Sequence, residues 1–315
     1  MTKPRRTRIG WRKHPCNMWF DKVTNMIELK QVTKLYRDFA AVKDFNLTVA
    51  DGEIMGLIGH NGAGKSTVLK MIVGLIRPTA GTVHVMDHDM ERDSTAAKRS
   101  IGYLPEESPL YENMTAREYL LFFGELYRLP KNTTRSRIDD LLGSLKLPEQ
   151  NKLIGEFSKG MRRKVAIARA LLHDPKLLVL DEPNSGLDPL TSFFIINYLK
   201  SLKHAGKTIV LSAHNLFHVE YVCDRVAIMK EGRLLICDDM ATIRANLGRR
   251  EYHVIFKTDA QLDYQREDGN YVFRTTDVGE MAAILSRISD NNWGLINLSV
   301  QESALEEIYV KLMTE

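Results

Sequence analysis

The stretch that constrains this chain most is Gly59-His60-Asn61-Gly62-Ala63-Gly64-Lys65-Ser66, a G-x-x-x-x-G-K-S run. Glu53 to Ile58 ahead of it is a short apolar run of strand type, and Thr67 to Val73 behind it continues as a helix. Strand, glycine-rich loop and helix, in that order, form the setting in which such a run cradles phosphate. Glycines let the backbone turn tightly and aim several N–H groups into one hollow. The positive end of the helix dipole faces the same hollow. Lys65 is placed to reach terminal phosphates, and the Ser66 hydroxyl to ligate Mg²⁺. A flexible Gly-rich turn is the bland alternative, and the strand–helix setting argues against it. The loop implies a nucleoside triphosphate and says nothing of its use.

Hydrolysis of a metal-bound triphosphate needs a second carboxylate near the metal and a base for water. Leu177-Leu178-Val179-Leu180-Asp181-Glu182-Pro183 offers both at the C-terminal end of a strand, where α/β folds bind ligands. Asp181 would belong to the Mg²⁺ shell and Glu182 would poise the attacking water. Taken alone, the pair could equally be two exposed acids. Phe157-Ser158-Lys159-Gly160-Met161 precedes a basic helix, and its small residues at a helix N-terminus form a second anion site. One chain has no reason to own two cradles for one nucleotide. Two chains facing head to tail do.

The rest of the chain fits around these runs. No apolar stretch approaches the roughly 20 residues of a membrane span, so the chain is not expected to cross a membrane by itself. Cys16, Cys223 and Cys237 show neither metal-ligand spacing nor a disulfide framework, and a reducing cytoplasm is the simplest home. Net charge is +4, yet residues 1–25 hold seven Lys or Arg against one Asp. That segment reads as a mobile arm on a near-neutral body. It could touch anionic lipid or nucleic acid, be a solvated tail, or lie upstream of a true start at Met26. It resembles a transit peptide in composition but lacks an amphipathic helix.

From Met26 alternation predicts strands over 27–32 and 41–49, with Tyr36 in a short turn between them, then strands over 81–85 and 101–105. Thr115-Ala116-Arg117-Glu118 opens a helix as a capping box. Helices are predicted over 136–147 and 158–172, so a helical lobe interrupts the strand–helix alternation over roughly 107–175. Strands at 177–180 and 208–212 flank a helix at 190–202, and a hairpin follows over 226–236. Residues 240–315 form a small α+β unit of strands at 251–257, 271–275 and 294–300 and helices at 281–288 and 303–313.

Three lesser features have competing readings. His214 and His218 stand at i, i+4, a spacing that metals use, but no third ligand is near in sequence. Arg162-Arg163-Lys164 could meet nucleic acid, and a solvated or interface face is the plainer reading. Phe122-Phe123 reads as lobe core rather than a ligand platform.

Taken together, Asn61 to Thr67, Phe157 to Met161 with Arg163 and Ala166 to Ala170, Leu180 to Pro183, Ser185-Gly186-Leu187-Asp188-Pro189 and Ser212-Ala213-His214 resemble the ATP-binding-cassette (ABC) ATPases, with all motifs in family order. The match spans about 26–238. Ala304 to Tyr309 further resembles the C-terminal extension of cassette subunits in the exporter branch, whose membrane subunit is a separate chain. The resemblance implies an α/β fold: a P-loop NTPase core with an antiparallel β flank and an inserted helical subdomain, plus a small C-terminal α+β domain. It implies an ATPase over 26–239 using ATP and Mg²⁺, a homodimer, and an integral membrane permease as partner, at the cytoplasmic face of the membrane. No nucleic acid is expected, and the basic arm is the part that would meet anionic lipid. A cassette ATPase acting on a soluble macromolecule is the alternative.

By the same resemblance Tyr36 stacks on adenine with Val42 near the base. Gly59, His60, Asn61, Gly62, Ala63, Gly64, Lys65, Ser66 and Thr67 bind phosphate and metal. Ser158 and Gly160 reach the partner's γ-phosphate, Glu182 is the catalytic carboxylate, Asp188 crosses the dimer interface, and His214 senses the γ-phosphate. Pro109 to Met114 is where a permease helix docks. Two positions depart from the pattern. Glu106 stands where the family has Gln, as a candidate Mg²⁺ contact with added negative charge. F-S-K-G-M replaces L-S-G-G-Q, so Lys159 must point outward and the Gln contact is lost at Met161.

Overall fold

The computed structural model describes residues 25–147 and 152–314. The predicted basic arm therefore lies outside the described residues, except for Asn25. The chain divides into two compact units. One runs to His214 and takes in Ala227–Cys237; the other holds Asn215–Val226 and the chain from Asp238 onward.

The first unit opens with an antiparallel hairpin, β1 (Asn25–Tyr36) and β2 (Phe39–Ala50). Tyr36 ends β1, paired with Phe39, and is not in the turn predicted for it. The turn is the two residues between, with Arg37 at φ 53°, the positive φ that two-residue hairpin loops favour. Next come β3 (Ile54–Ile58), α1 (Lys65–Ile72), β4 (Ala80–Val85), β5 (His88–Asp89), α2 (Ser94–Lys98) and β6 (Ile101–Leu104). The helical lobe carries α3 (Ala116–Leu126), α4 (Lys131–Ser144) and α5 (Lys159–Leu171). β7 (Leu177–Leu180), α6 (Pro189–His204) and β8 (Thr208–Ala213) follow. α7 (Leu216–Val222), in the second unit, separates β8 from β9 (Arg225–Lys230) and β10 (Arg233–Asp239).

Two sheets result, with strand orders β2-β1-β4-β5 and β10-β9-β3-β8-β7-β6. In the second, β3, β8, β7 and β6 run parallel. Every residue of β3 and β7 is buried, as a sheet covered on both faces requires of a continuous apolar run. Register brings Ile58 beside Ala213, Leu180 beside Leu211 and Leu104 beside Leu180. Hence Gly59, His214, Asp181 and Pro105 all leave the sheet at one edge, the carboxyl end of its strands. Phe45 and Leu47 of β2, Leu69 and Met71 of α1, and Val179 of β7 share the core beneath that edge.

α3 starts on the predicted capping box: the Glu118 N–H donates to Thr115 Oγ1 (3.2 Å), and the Thr115 N–H to the Glu118 carboxylate (2.8 Å). α4 begins at Lys131, five residues before its predicted start. Lys131 to Arg135 show no apolar periodicity, but Pro130 sets the entry and its carbonyl accepts the Thr134 N–H.

The second unit adds α8 (Met240–Leu247), β11 (Arg250–Lys257), β12 (Gln265–Glu267), β13 (Asn270–Thr275), α9 (Val278–Asp290), β14 (Gly294–Glu302) and α10 (Leu305–Thr314). Its sheet is antiparallel, β12-β13-β11-β14. Phe256 stacks on Trp293 (5.3 Å between centroids) and Tyr271 (5.6 Å), and Ile284 and Ile288 of α9 close that core.

Candidate active site

The loop between β3 and α1 is shaped by backbone geometry. Gly64 caps α1 with φ 101°, and a Cβ there would fall 2.5 Å from the Ala41 carbonyl. A side chain is excluded on both counts. Gly59 and Ala63 are buried, while His60, Asn61 and Gly62 stand exposed at the rim. Lys65 is buried despite its charge. Its Nζ donates to Gly59 O (2.6 Å) and His60 O (3.4 Å) and lies 3.9 Å from Glu182 Oε1. A buried ammonium persists only with such partners. Ser66 and Thr67 sit in the first turn of α1, half-buried.

At the end of β7 the second cluster faces this loop. Asp181 and Glu182 are both buried. Ser212 Oγ donates to Asp181 Oδ1 (2.6 Å) and accepts the Glu182 N–H (2.9 Å). One hydroxyl of β8 thereby fixes two consecutive residues of β7's exit. Glu182 adopts φ 48°, a left-handed conformation that glycine favours and glutamate rarely takes. Its Oε2 lies 2.7 Å from His214 Nδ1. The carboxylate so bridges the loop ammonium and an imidazole that is itself 60 % exposed. Tyr103 of β6 contributes a buried phenol with no hydrogen-bond partner; burial, then the Asp181 charge, push its pKa up to about 12.

Ser158 caps α5, its Oγ accepting the Met161 N–H (3.2 Å). Gly160 is buried, and a Cβ there would meet the Thr191 methyl at 2.9 Å, so glycine permits α5 to approach α6. Lys159 is exposed, and its Nζ lies over Gly186, within 2.1 Å of where a Cβ would stand. Asp188 caps α6 through the Thr191 N–H (2.9 Å), and its bonds to Thr191 hold its carboxyl below the usual range.

The structure brings together Lys65, Asp181, Glu182 and His214, and sets Ser158 and Gly160 at a separate helix start. Tyr36 is exposed, with Lys34 Nζ 5.2 Å from its ring centroid. Val42 is wholly buried and packs beneath Gly64, where it supports the loop rather than presenting a face to a base. The Glu106 side chain is exposed at the exit of β6.

The structure also departs from the sequence reading at Arg163. Arg163 is neither solvated nor an open basic face. Its Nε donates to Pro183 O (2.9 Å), Nη1 to Pro105 O (3.1 Å) and Glu106 O (3.0 Å), and Nη2 to Asp181 O (2.9 Å) and Glu182 O (2.5 Å). Burial lowers its pKa to about 10, while the charges of Asp181, Glu106 and Glu182 oppose that fall. Its neighbours also turn inward on the chain: Arg162 donates to Gly155 O (2.7 Å) and Phe157 O (3.1 Å), and Lys164 Nζ sits 4.1 Å from the Phe194 centroid. The available signal was spacing, since Gly160, Arg163, Ile167 and Ala170 share one helical face and the other three are buried. Phe122 also differs from expectation: it is 37 % exposed and packs edge-on against Tyr111 and Phe123.

Residues 42–185 match the family model described as ABC transporter. The chain is 40% identical over 237 residues to the ABC transporter ATP-binding protein NatA of Bacillus subtilis (strain 168), covering 73% of this chain and 96% of NatA. It is 32% identical over 305 residues to the bacitracin transport ATP-binding protein BcrA of Bacillus licheniformis, covering 92% and 98%. Among solved structures it resembles the dimeric, post-hydrolysis ATP-binding cassette MJ0796 bound to ADP and Pi, with TM-score 0.63, 30% identity, and 68% and 99% coverage. The chain belongs to the ABC transporter family, as an ATP-binding subunit that hydrolyses ATP.

Proposed function

We propose that two copies of this chain clamp two Mg-ATP between them and drive a separate membrane permease in the export direction. The observation that carries the reading is the Glu182 carboxylate, held between Lys65 and His214 at the mouth of the phosphate loop. MJ0796 as a dimer and BcrA as a bacitracin transport protein support the dimer and the transport role, and the likeness of Ala304 to Tyr309 to the exporter-branch extension supports the direction. Among the described residues no helix is long and apolar enough to cross a membrane, which leaves the membrane passage to a partner. Pro109 to Met114, just past Glu106, is the segment for the permease to dock against. The chain would sit at the cytoplasmic face of the membrane, its basic arm toward anionic lipid.

The donor set suits Mg²⁺: a hydroxyl at Ser66, a carboxylate at Asp181 and a partnerless buried phenol at Tyr103 beside it offer hard oxygens and a place for an ordered water. Glu106 adds a further carboxylate. When bound, the ion neutralises charge that develops on the phosphates. Lys65 leaves its loop carbonyls for phosphate oxygens, and so releases Glu182. Glu182 then accepts the proton of the attacking water, while His214 steers its carboxylate. Ser158 retains a free O–H to offer a partner's γ-phosphate, because its cap bond uses only a lone pair.

Glu182→Gln tests this. It should lower steady turnover by about 10²–10⁴-fold, the share of a general base, and accumulate an ATP-bound dimer on size-exclusion chromatography. Turnover at the wild-type rate would remove Glu182 from the role of base.

A further inference from the structure

We propose that Arg163 is a positioning residue for hydrolysis: its guanidinium holds the Glu182 backbone in place and ties that hold to the Pro105–Glu106 turn. The inference rests on Glu182 being the base.

A guanidinium carries five N–H donors in a rigid planar fork. Here all five are spent, each on a different main-chain carbonyl. Three of those carbonyls belong to Asp181, Glu182 and Pro183, where β7 leaves the sheet. The other two belong to Pro105 and Glu106, where β6 leaves it. The ladder between β6 and β7 ends with the Asp181 N–H on Leu104 O (2.8 Å). Past that point the segments would separate, and Arg163 joins them. Successive carbonyls turned to one side repel each other, and a cation at their focus removes that repulsion.

Glu182 shows why this matters for chemistry. A glutamate at φ 48° is held by its surroundings, not by its own preference. Its N–H is fixed by Ser212 and its C=O by Arg163. With both ends of the residue pinned, the side chain is aimed at His214 and Lys65. Because the same guanidinium also grips Pro105 and Glu106, displacement of that turn is felt at Glu182. Pro109 to Met114 begins three residues beyond Glu106, so a partner pressing on that segment would have a short mechanical route to the base.

The test is steady-state and single-turnover ATP hydrolysis by the full chain carrying Arg163→Lys or Arg163→Ala. Lysine keeps the charge but has three donors on a single nitrogen and cannot span both strand ends. The expected result is a kcat at least tenfold lower for both variants with KM for ATP within about twofold, the mark of an interaction that acts in the transition state. A brace for α5 alone would not produce that split. In a Glu182→Gln background, Arg163→Lys should add no further loss to the residual single-turnover rate, since both act through one carboxylate. An unchanged kcat, a change confined to KM, or losses that multiply in the double variant would overturn the proposal. So would failure of Arg163→Lys to fold, which would make the residue a structural brace. If Arg163→Ala alone fails to fold, the lysine variant decides. Glu182→Gln measured alone separates the two ideas: wild-type turnover there sinks the base assignment, whereas a dead Glu182→Gln beside an unaffected Arg163→Lys sinks only the clamp.

Discussion

The two units bury different chemistry. Among the described residues, the buried polar and charged side chains are Glu53, Lys65, Thr134, Asp181, Glu182, Ser192, Thr208, Ser212 and Thr275, and all but Thr275 lie in the first unit. The second unit is closed by Val254, Phe256, Tyr271, Ile284 and Ile288, an apolar and aromatic core with its ion pairs at the surface, such as Arg250 with Glu302. Burying charge is costly unless every group is paired, and a core of hydrocarbon does the same structural job at less risk. The first unit therefore carries its buried Lys, Asp and Glu for what they do to a ligand.

That contrast can be broken at either end. The largest effect is expected in the second unit. Phe256→Ala removes the ring at the centre of its stack and should cost about 3–5 kcal/mol in a urea unfolding curve. ATP turnover by the folded protein should persist, and its loss would show that the second unit contributes to the site after all. Next, Lys65→Met should lower turnover by about 10²–10³-fold, while the thermal midpoint falls by only a few degrees, because Glu182 keeps His214 as a partner when the ammonium is lost. A midpoint that falls by many degrees would make Lys65 a structural residue. Ser212→Ala comes third. It strips the donor from Asp181 and the acceptor from the Glu182 N–H, at about 1–3 kcal/mol of stability, and should reduce kcat alongside.

The smallest effect concerns Asp188 at the start of α6. Its folded pKa lies below the ordinary aspartate value, chiefly through its hydrogen bonds to Thr191. A carboxylate with a depressed pKa stabilises the fold above its unfolded pKa and loses that contribution as pH falls through the folded one. Asp188→Asn should thus be the less stable protein near neutrality, and its unfolding curve should converge on wild type only below about pH 3.8. Equal acid sensitivity across the whole range would remove the cap from the account.

Much of this was legible in the chain. The capping box at Thr115 and Glu118, the all-apolar runs of β3 and β7 and the glycines of the phosphate loop are local devices, each written in adjacent residues. The early start of α4 was hidden because its first turn is polar, and only Pro130 marks it. Tyr36 reads as part of a turn between two alternating runs, whereas the pairing with Phe39 extends β1 to it. Val42, near the base by resemblance alone, is wholly buried beside Gly64.

By itself the sequence determined the strand–loop–helix that holds phosphate, the paired acids at a strand end, and the serine start of a second helix, since steric and capping rules act over a few residues. Tertiary structure decided which groups meet. It set Glu182 between Lys65 and His214, and gave Arg163 its five carbonyls. Main-chain carbonyls are the same at every position, so no pattern of side chains announces where five of them will converge. Only the register of β6 against β7, and the approach of α5 to their ends, creates that point.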